Sequence, residues 1–213
     1  MMINPSRILV LAPHTDDGEL GCGATMAKFA AAGKKIFYIA FSTCSKSLLP
    51  GLPKDTLAIE CKKAISILGI EEENIILFDF EVRQLFTHRQ RILEELVTLN
   101  KKLNPDLVLL PAMNDIHQDH QAVYAEGIRA FKNCNLLGYE LPWNNTRFQP
   151  NYFQTLNEKD LDKKVQALKA YKSQVNKNYM QEDFIRSLAK VRGVQANTAY
   201  AEAFEVYRLV SSE

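Results

Sequence analysis

Paired cysteines are missing from this chain. Its four, Cys22, Cys44, Cys61 and Cys134, stand far apart, and none belongs to a C-x-x-C pair. That argues against a zinc finger or a disulfide framework and predicts a reducing, cytoplasmic setting. A charge excess is missing too, since 26 basic and 25 acidic residues leave a net charge of +1. Nucleic-acid-binding domains more often carry a basic imbalance or stripe, so no nucleic-acid partner is expected. No apolar run approaches the ~18–20 residues that span a bilayer, so no transmembrane segment is expected. The opening Met1-Met-Ile-Asn-Pro-Ser-Arg7 lacks the apolar core of a signal peptide. The phosphate-binding signatures G-x-G-x-x-G and G-x-x-x-x-G-K-[ST] are absent, although Gly18, Gly21 and Gly23 lie close together.

What is present is an ordinary globular composition, 46% hydrophobic and 24% charged over 213 residues, which suits one domain spanning residues 1–213. Strand-like and helix-like stretches alternate. Ile8 to Ala12 reads as a buried strand that stops at Pro13. A helix-like run, Ala24 to Ala32, ends at Gly33. Lys35 to Ser42 is a second strand, followed by a loop with Pro50, Gly51 and Pro53. Leu57, Cys61, Ala64, Ile65 and Leu68 have helical spacing, with Gly69 as the stop. Asn74 to Phe80 reads as strand three, and Ile92, Leu96, Leu99 and Leu103 mark the next helix face, ending at Asn104-Pro105. Leu107 to Leu110 is strand four, closed by Pro111; a helix through Val123, Gly127, Ile128 and Phe131 leads to strand five, Asn135 to Leu141. Beyond it the alternation stops. A loop from Pro142 to Pro150 precedes a short strand, Tyr152 to Leu156, and a helix capped by Asn157 with Leu161, Val165, Leu168 and Tyr171 on one face. A last helix, Tyr179 to Arg192, ends at Gly193, and Ala201 to Val210 reads as a final strand.

This pattern predicts an α/β, Rossmann-like three-layer sandwich: a mostly parallel sheet with helices on both faces, plus a C-terminal helical and strand extension. The common strand order 3-2-1-4-5 would make strands one and four neighbours across the switch point, where ligands bind. Each of those strands ends in a polar cluster: His14, Asp16 and Asp17 after the first, His117, Asp119 and His120 after the fourth. Three of the four histidines of the chain fall there.

Imidazole and carboxylate groups suit zinc, and an open catalytic site takes three protein ligands. Hydrolysis also needs a general base, so Asp16 and Asp17 could divide the work, one on the metal and one on the proton. His117 and His120 share a face if a helix starts there, and Asp119 could hold one imidazole in its working tautomer. Each residue also has a plain structural reading. A strand-end aspartate is often a helix N-cap, Glu19 reads as a favourable first-turn acid, Cys22 as buried packing, and the three glycines as a tight turn. Six polar groups at two adjoining strand ends favour a metal site over that sum of separate roles.

Pro13-His-Thr-Asp-Asp-Gly-Glu-Leu-Gly-Cys-Gly-Ala-Thr25 resembles the P-H-P-D-D-E-x-x-G-x-G-G motif of the PIG-L/LmbE-like zinc-dependent N-deacetylases, and Asp115-Ile-His-Gln-Asp-His120 resembles their second motif, D-x-H-x-D-H. Tyr171 to Gln174, Arg192-Gly193 and Tyr200 to Phe204 are also similar to family patterns. The resemblance implies His14, Asp17 and His120 as ligands of one zinc ion, with iron(II) as the alternative, and Asp16 as general base. It further implies that His117 assists at the substrate carbonyl or leaving amine, and that Asp119 orients a histidine. Two positions depart from the motif: Thr15 replaces a proline, and Gly18 stands where a glutamate is usual, with Glu19 one place later. A family arginine ahead of the second helix's glutamate corresponds to Leu57, ahead of Glu60, which leaves Arg83 or Arg147 as substitutes at the substrate.

The expected activity is therefore removal of acetate from an N-acetylated amino sugar of the N-acetylglucosamine type or its conjugate. The partner is that small-molecule or glycoconjugate substrate, and homo-oligomerisation stays open. Two other readings are compatible with the pattern: a non-hydrolytic domain binding a nucleotide or sugar at the same switch point, and a metal-dependent phosphoesterase. The loop Pro142 to Pro150, carrying Trp143 and Arg147, is a candidate for covering the site and selecting the substrate.

Overall fold

The computed structural model describes residues 3–210; Met1, Met2 and residues 211–213 lie outside the described part of the chain. Strand β1 (Arg7–His14) leads to helix α1 (Asp17–Ala31), β2 (Lys35–Ser42), α2 (Thr56–Ile67), β3 (Ile75–Leu77), α3 (Arg89–Leu103), β4 (Leu107–Pro111), α4 (Gln118–Ala130) and β5 (Asn135–Tyr139). Strand β6 (Tyr152–Leu156), α5 (Glu158–Leu168), α6 (Glu182–Gln195) and β7 (Tyr200–Arg208) complete it. The seven strands form one sheet in the order β3-β2-β1-β4-β5-β7-β6. The first five are parallel, and β7 runs antiparallel to both β5 and β6. The expected 3-2-1-4-5 order is present, and the extension widens it by two strands.

Apolar residues alternate across β1. Ile8, Val10 and Ala12 face a core shared with α1, α2, α5 and α6, while Leu9 and Leu11 face a second core under α3 and α4. Both faces are buried, which is why the strand reads as a continuous apolar run. Each fully buried Leu or Ile contributes on the order of 1.5–3 kcal/mol. Among the described residues, no helix is long and apolar enough to cross a membrane.

Several boundaries differ from the sequence reading. Strand β1 continues through Pro13 to His14; its ladder with β4 covers only Ile8–Val10, so the missing N–H at Pro13 interrupts nothing on that side. Strand β3 pairs over three residues only, after which Phe78 and Phe80 donate to Ala40 and Phe41 in an irregular extension. Helix α5 ends at Leu168, leaving Tyr171 in the following turn, and α6 runs past Gly193 to Gln195. Gly193 does not stop the helix. It makes room: a Cβ there would lie 2.6 Å from the Ala199 carbonyl oxygen. Asn157 does cap α5, in a reciprocal capping box with Asp160.

The largest difference is the start of α1. It begins at Asp17 rather than Ala24 and is broken by a kink at Cys22, where φ is −145°. The glycines permit close packing: a Cβ at Gly21 would lie 2.2 Å from the Tyr139 ring. The kink leaves a second helix start inside the core. Glu202 of β7 satisfies it, accepting hydrogen bonds from the Ala24 and Thr25 N–H groups at 3.1 and 2.7 Å. Lys164 of α5 balances that carboxylate at 2.6 Å and also donates to the Leu20 carbonyl at 2.7 Å. The C-terminal extension is thus wedged under the helix that follows the first polar cluster.

Candidate metal centre

His14 is the last residue of β1, and α1 starts three residues later. The adjoining β4 ends at Pro111, and its loop delivers His117 as the N-cap of α4, with Asp119 and His120 in the first turn. Sheet order alone therefore brings the two clusters together at the carboxyl ends of neighbouring strands.

Three donor atoms converge. His14 Nδ1 lies 3.0 Å from Asp17 Oδ2, His120 Nε2 lies 3.2 Å from the same oxygen, and the two ring nitrogens are 3.2 Å apart. A tetrahedral zinc with bonds of about 2.0–2.1 Å would have ligand atoms about 3.3–3.4 Å apart. The triangle is within a few tenths of an ångström of that spacing.

The far side of each ring is held. His14 Nε2 faces Asp119 Oδ2 at 3.0 Å, and His120 Nδ1 faces Asp115 Oδ2 at 2.7 Å. A carboxylate only accepts, so each ring donates outward and turns its other nitrogen to the centre, the arrangement typical of metal-binding histidines. Asp119 is itself fixed by the Arg83 and Leu85 N–H groups at 2.5 and 3.1 Å, and Asp115 accepts from the His117 N–H at 2.7 Å. Asp17 accepts from the His14 N–H at 2.8 Å.

Electrostatics follow from this crowding. Burial alone would depress both imidazoles, but Asp17 and Asp119 raise His14 to about 9, and Asp17 and Asp115 raise His120 to about 10. Burial opposes ionisation of Asp17 as well, yet the His120 and His14 rings hold it well below the usual carboxylate range. A pocket that draws protons so strongly onto two rings equally favours a divalent cation in their place.

His117 plays a different part. Its Nδ1 accepts the Asp119 N–H at 3.1 Å, which places the ring proton on Nε2. Burial and the His120 and His14 rings lower its pKa, so it is a neutral donor. The three imidazoles each bring one nitrogen within 4.8 Å of the others, a looser set than the triangle with Asp17. Asp16 occupies the N-cap position of α1 but makes no side-chain capping bond. Its carboxyl is free for other work, and burial together with Asp17 pushes it up to about 6.

Asp16, His117 and the three donor residues line a cavity of about 350 Å³. Trp143, from the loop after β5, stacks on Tyr179 at 4.2 Å between ring centroids to form part of its wall, and Gln174 and Lys177 contribute from the segment after α5. The two arginines fall elsewhere. Arg83 meets the site through its backbone, while its side chain reaches Ser47 at 3.5 Å; Arg147 is exposed and does not line the cavity.

Two features escape the sequence reading. Asp115 lies inside the second motif yet has no role there; five residues ahead of a histidine that opens a helix, it is within reach of that ring. Glu19 does stand in the first turn of α1, but it is fully buried against Tyr38 and Tyr171, contacts the sequence reading did not include, and burial pushes it up to about 8.

A family profile described as PIG-L, GlcNAc-PI de-N-acetylase, matches residues 9–131, which include both clusters. The uncharacterized deacetylase YaiS of Escherichia coli K12 is 29% identical, over 78% of this chain and 90% of its own. The diacetylchitobiose deacetylase of Thermococcus kodakarensis is 26% identical, over 92% and 81%. The structure of GalB, the 4-carboxy-2-hydroxymuconate hydratase of Pseudomonas putida KT2440, superposes with a TM-score of 0.80 at 19% identity, covering 98% of both chains; that likeness concerns the fold alone. With its matched segment spanning more than half of the sequence, this chain belongs to the PIG-L family.

Proposed function

We propose that the protein is a metal-dependent hydrolase that removes the acetyl group from an N-acetylated amino sugar, or a conjugate of one. The observation that carries this reading is the donor triangle of His14, Asp17 and His120 beside an uncommitted carboxylate, Asp16, and a neutral donor, His117. Two nitrogens and one oxygen suit zinc, one ion per chain, with iron(II) as the alternative. Such an ion supplies Lewis acidity beside the acetamide carbonyl.

The chain's own groups do the rest. Asp16, as carboxylate, takes a proton from the water that attacks the acetyl carbon. His117 donates from Nε2 to the carbonyl oxygen as negative charge develops there. When the C–N bond breaks, the proton held by Asp16 passes to the leaving nitrogen, giving acetic acid and an amine, which exchange the acid proton and leave as acetate and ammonium. Asp115 and Asp119 keep the His120 and His14 rings from turning. The aromatic wall of Trp143 and Tyr179, with Gln174 and Lys177 beside it, suits a sugar ring with polar substituents, and the relative named a diacetylchitobiose deacetylase supports that class. The four unpaired cysteines are in keeping with a cytoplasmic setting.

The test is metal content measured together with acetate release from N-acetylglucosamine derivatives, with phosphoesters as controls, for the wild type and His120→Ala. About one metal per chain, with metal and acetate release both lost in the variant, is the expected result. Protein that binds no zinc or iron and releases no acetate after either is supplied would overturn the reading.

A further inference from the structure

Glu19 is a buried acid that the proposed reaction does not use. One of its carboxyl oxygens meets the Tyr171 hydroxyl at 2.5 Å and the other meets the Tyr38 hydroxyl. Both hydroxyls also reach the Thr15 carbonyl, Tyr38 at 3.0 Å. All three side chains are buried, and they come from α1, β2 and the turn after α5. Thr15 sits between His14 and Asp16, in the turn that carries three of the groups assigned to the centre. Its carbonyl can only accept, and each of two tyrosine hydroxyls from distant parts of the chain, with one proton to give, sits between that carbonyl and a Glu19 carboxyl oxygen.

Gly18 belongs to the same arrangement. A Cβ at that position would lie 2.6 Å from the Tyr38 ring. Tyr38 therefore occupies the space that a side chain at 18 would need, and the carboxylate one residue on, Glu19, meets its hydroxyl. The segment carrying Tyr171 is anchored in turn: the Ser173 N–H and hydroxyl donate to Glu60 of α2 at 2.9 and 2.6 Å, and Gln174 and Lys177 continue into the cavity wall.

We propose that Glu19, Tyr38 and Tyr171 form a clamp on the Thr15 carbonyl and act as positioning residues for the metal-binding turn, setting the directions of His14, Asp16 and Asp17. This inference rests on the metal-hydrolase reading above. The clamp ties the catalytic turn to the C-terminal extension, so the segment that walls the cavity also orients the centre. Groups that orient metal ligands typically change metal affinity or activity about 10–100-fold when removed.

Tyr171→Phe removes one hydroxyl and keeps the ring. It should weaken zinc binding about 10-fold, shift the visible spectrum of the cobalt-substituted protein, and lower kcat by a similar factor with KM unchanged. Glu19→Gln keeps the shape and can both donate and accept, so it should leave affinity and spectrum near those of the wild type. Tyr38→Phe repeats the test from the other side of the clamp and carries it if Tyr171→Phe does not fold. Folded Phe variants with wild-type zinc affinity and an unshifted cobalt spectrum, even if less stable, would reduce the tetrad to a packing role and overturn the proposal. Wild-type protein that binds zinc but releases no acetate would instead overturn the proposed function and leave the clamp to be judged by affinity and spectrum. Wild-type protein that binds neither zinc nor iron would overturn both.

Discussion

At the scale of single residues, the proposed reaction assigns different work to groups that differ in how they are engaged. Asp16 and Asp17 are neighbours in the chain, yet Asp17 is engaged by two imidazoles and a backbone N–H while Asp16 makes no capping bond and faces the cavity. Asp16→Asn should accordingly lower kcat by about 10²–10⁴-fold, the range for loss of a general base, with metal content unchanged. Asp115→Ala should do the opposite. It releases the far side of His120, so metal affinity should fall about 10–100-fold while the remaining loaded protein still turns over, as competition with a chelator would show. Both affinities should weaken as pH falls, because protons compete with metal for the two rings.

At the scale of elements, the kinked start of α1 explains a buried ion pair that would otherwise have no purpose. The kink exposes the Ala24 and Thr25 N–H groups inside the core; Glu202 accepts from both, and Lys164 neutralises Glu202. Lys164 and Glu202 are both about as buried as the apolar side chains around them. Lys164→Met would leave the carboxylate without its cation. The expected loss is ~3–5 kcal/mol, the cost of breaking one side of a buried pair, read from the midpoint of urea unfolding at unchanged slope. A loss below about 1 kcal/mol, the level of an exposed pair, would show that water reaches Glu202.

At the scale of the whole molecule, the sheet sets two strand ends side by side and the extension closes the cavity over them. Trp143 and Tyr179 belong to segments far apart in sequence, before and after β6 and α5, and they stack face to face with their planes only 12° apart. Trp143→Ala should therefore act on binding rather than chemistry, raising KM on the order of 10-fold, equivalent to about 1.4 kcal/mol, while kcat changes little. Steady-state kinetics on an N-acetylated sugar separates the two; an equal fall in kcat would move Trp143 into the reacting part of the site.

Local pattern determined a good deal by itself. Unbroken apolar runs marked β1, β2 and β4 as strands buried on both faces, because such strands have no polar side to show. Alternation of strand and helix determined the parallel order, since right-handed crossovers leave few others. With that order, His14 and His120 had to meet at one end of the sheet. Tertiary structure decided what depends on packing. Gly18, Gly21 and Gly23 read as a tight turn because glycine disfavours helix, yet they lie within kinked helix α1, where Tyr38 and Tyr139 fill the space that side chains at 18 and 21 would need. Glu19 read only as a first-turn acid because its two hydroxyl partners lie at distant positions that no local spacing connects. The division of labour between Asp16 and Asp17 is of the same kind. Adjacent carboxylates are equivalent in sequence, and only the placement of two imidazoles, one from the end of β1 and one from the first turn of α4, engages Asp17 and leaves Asp16 free.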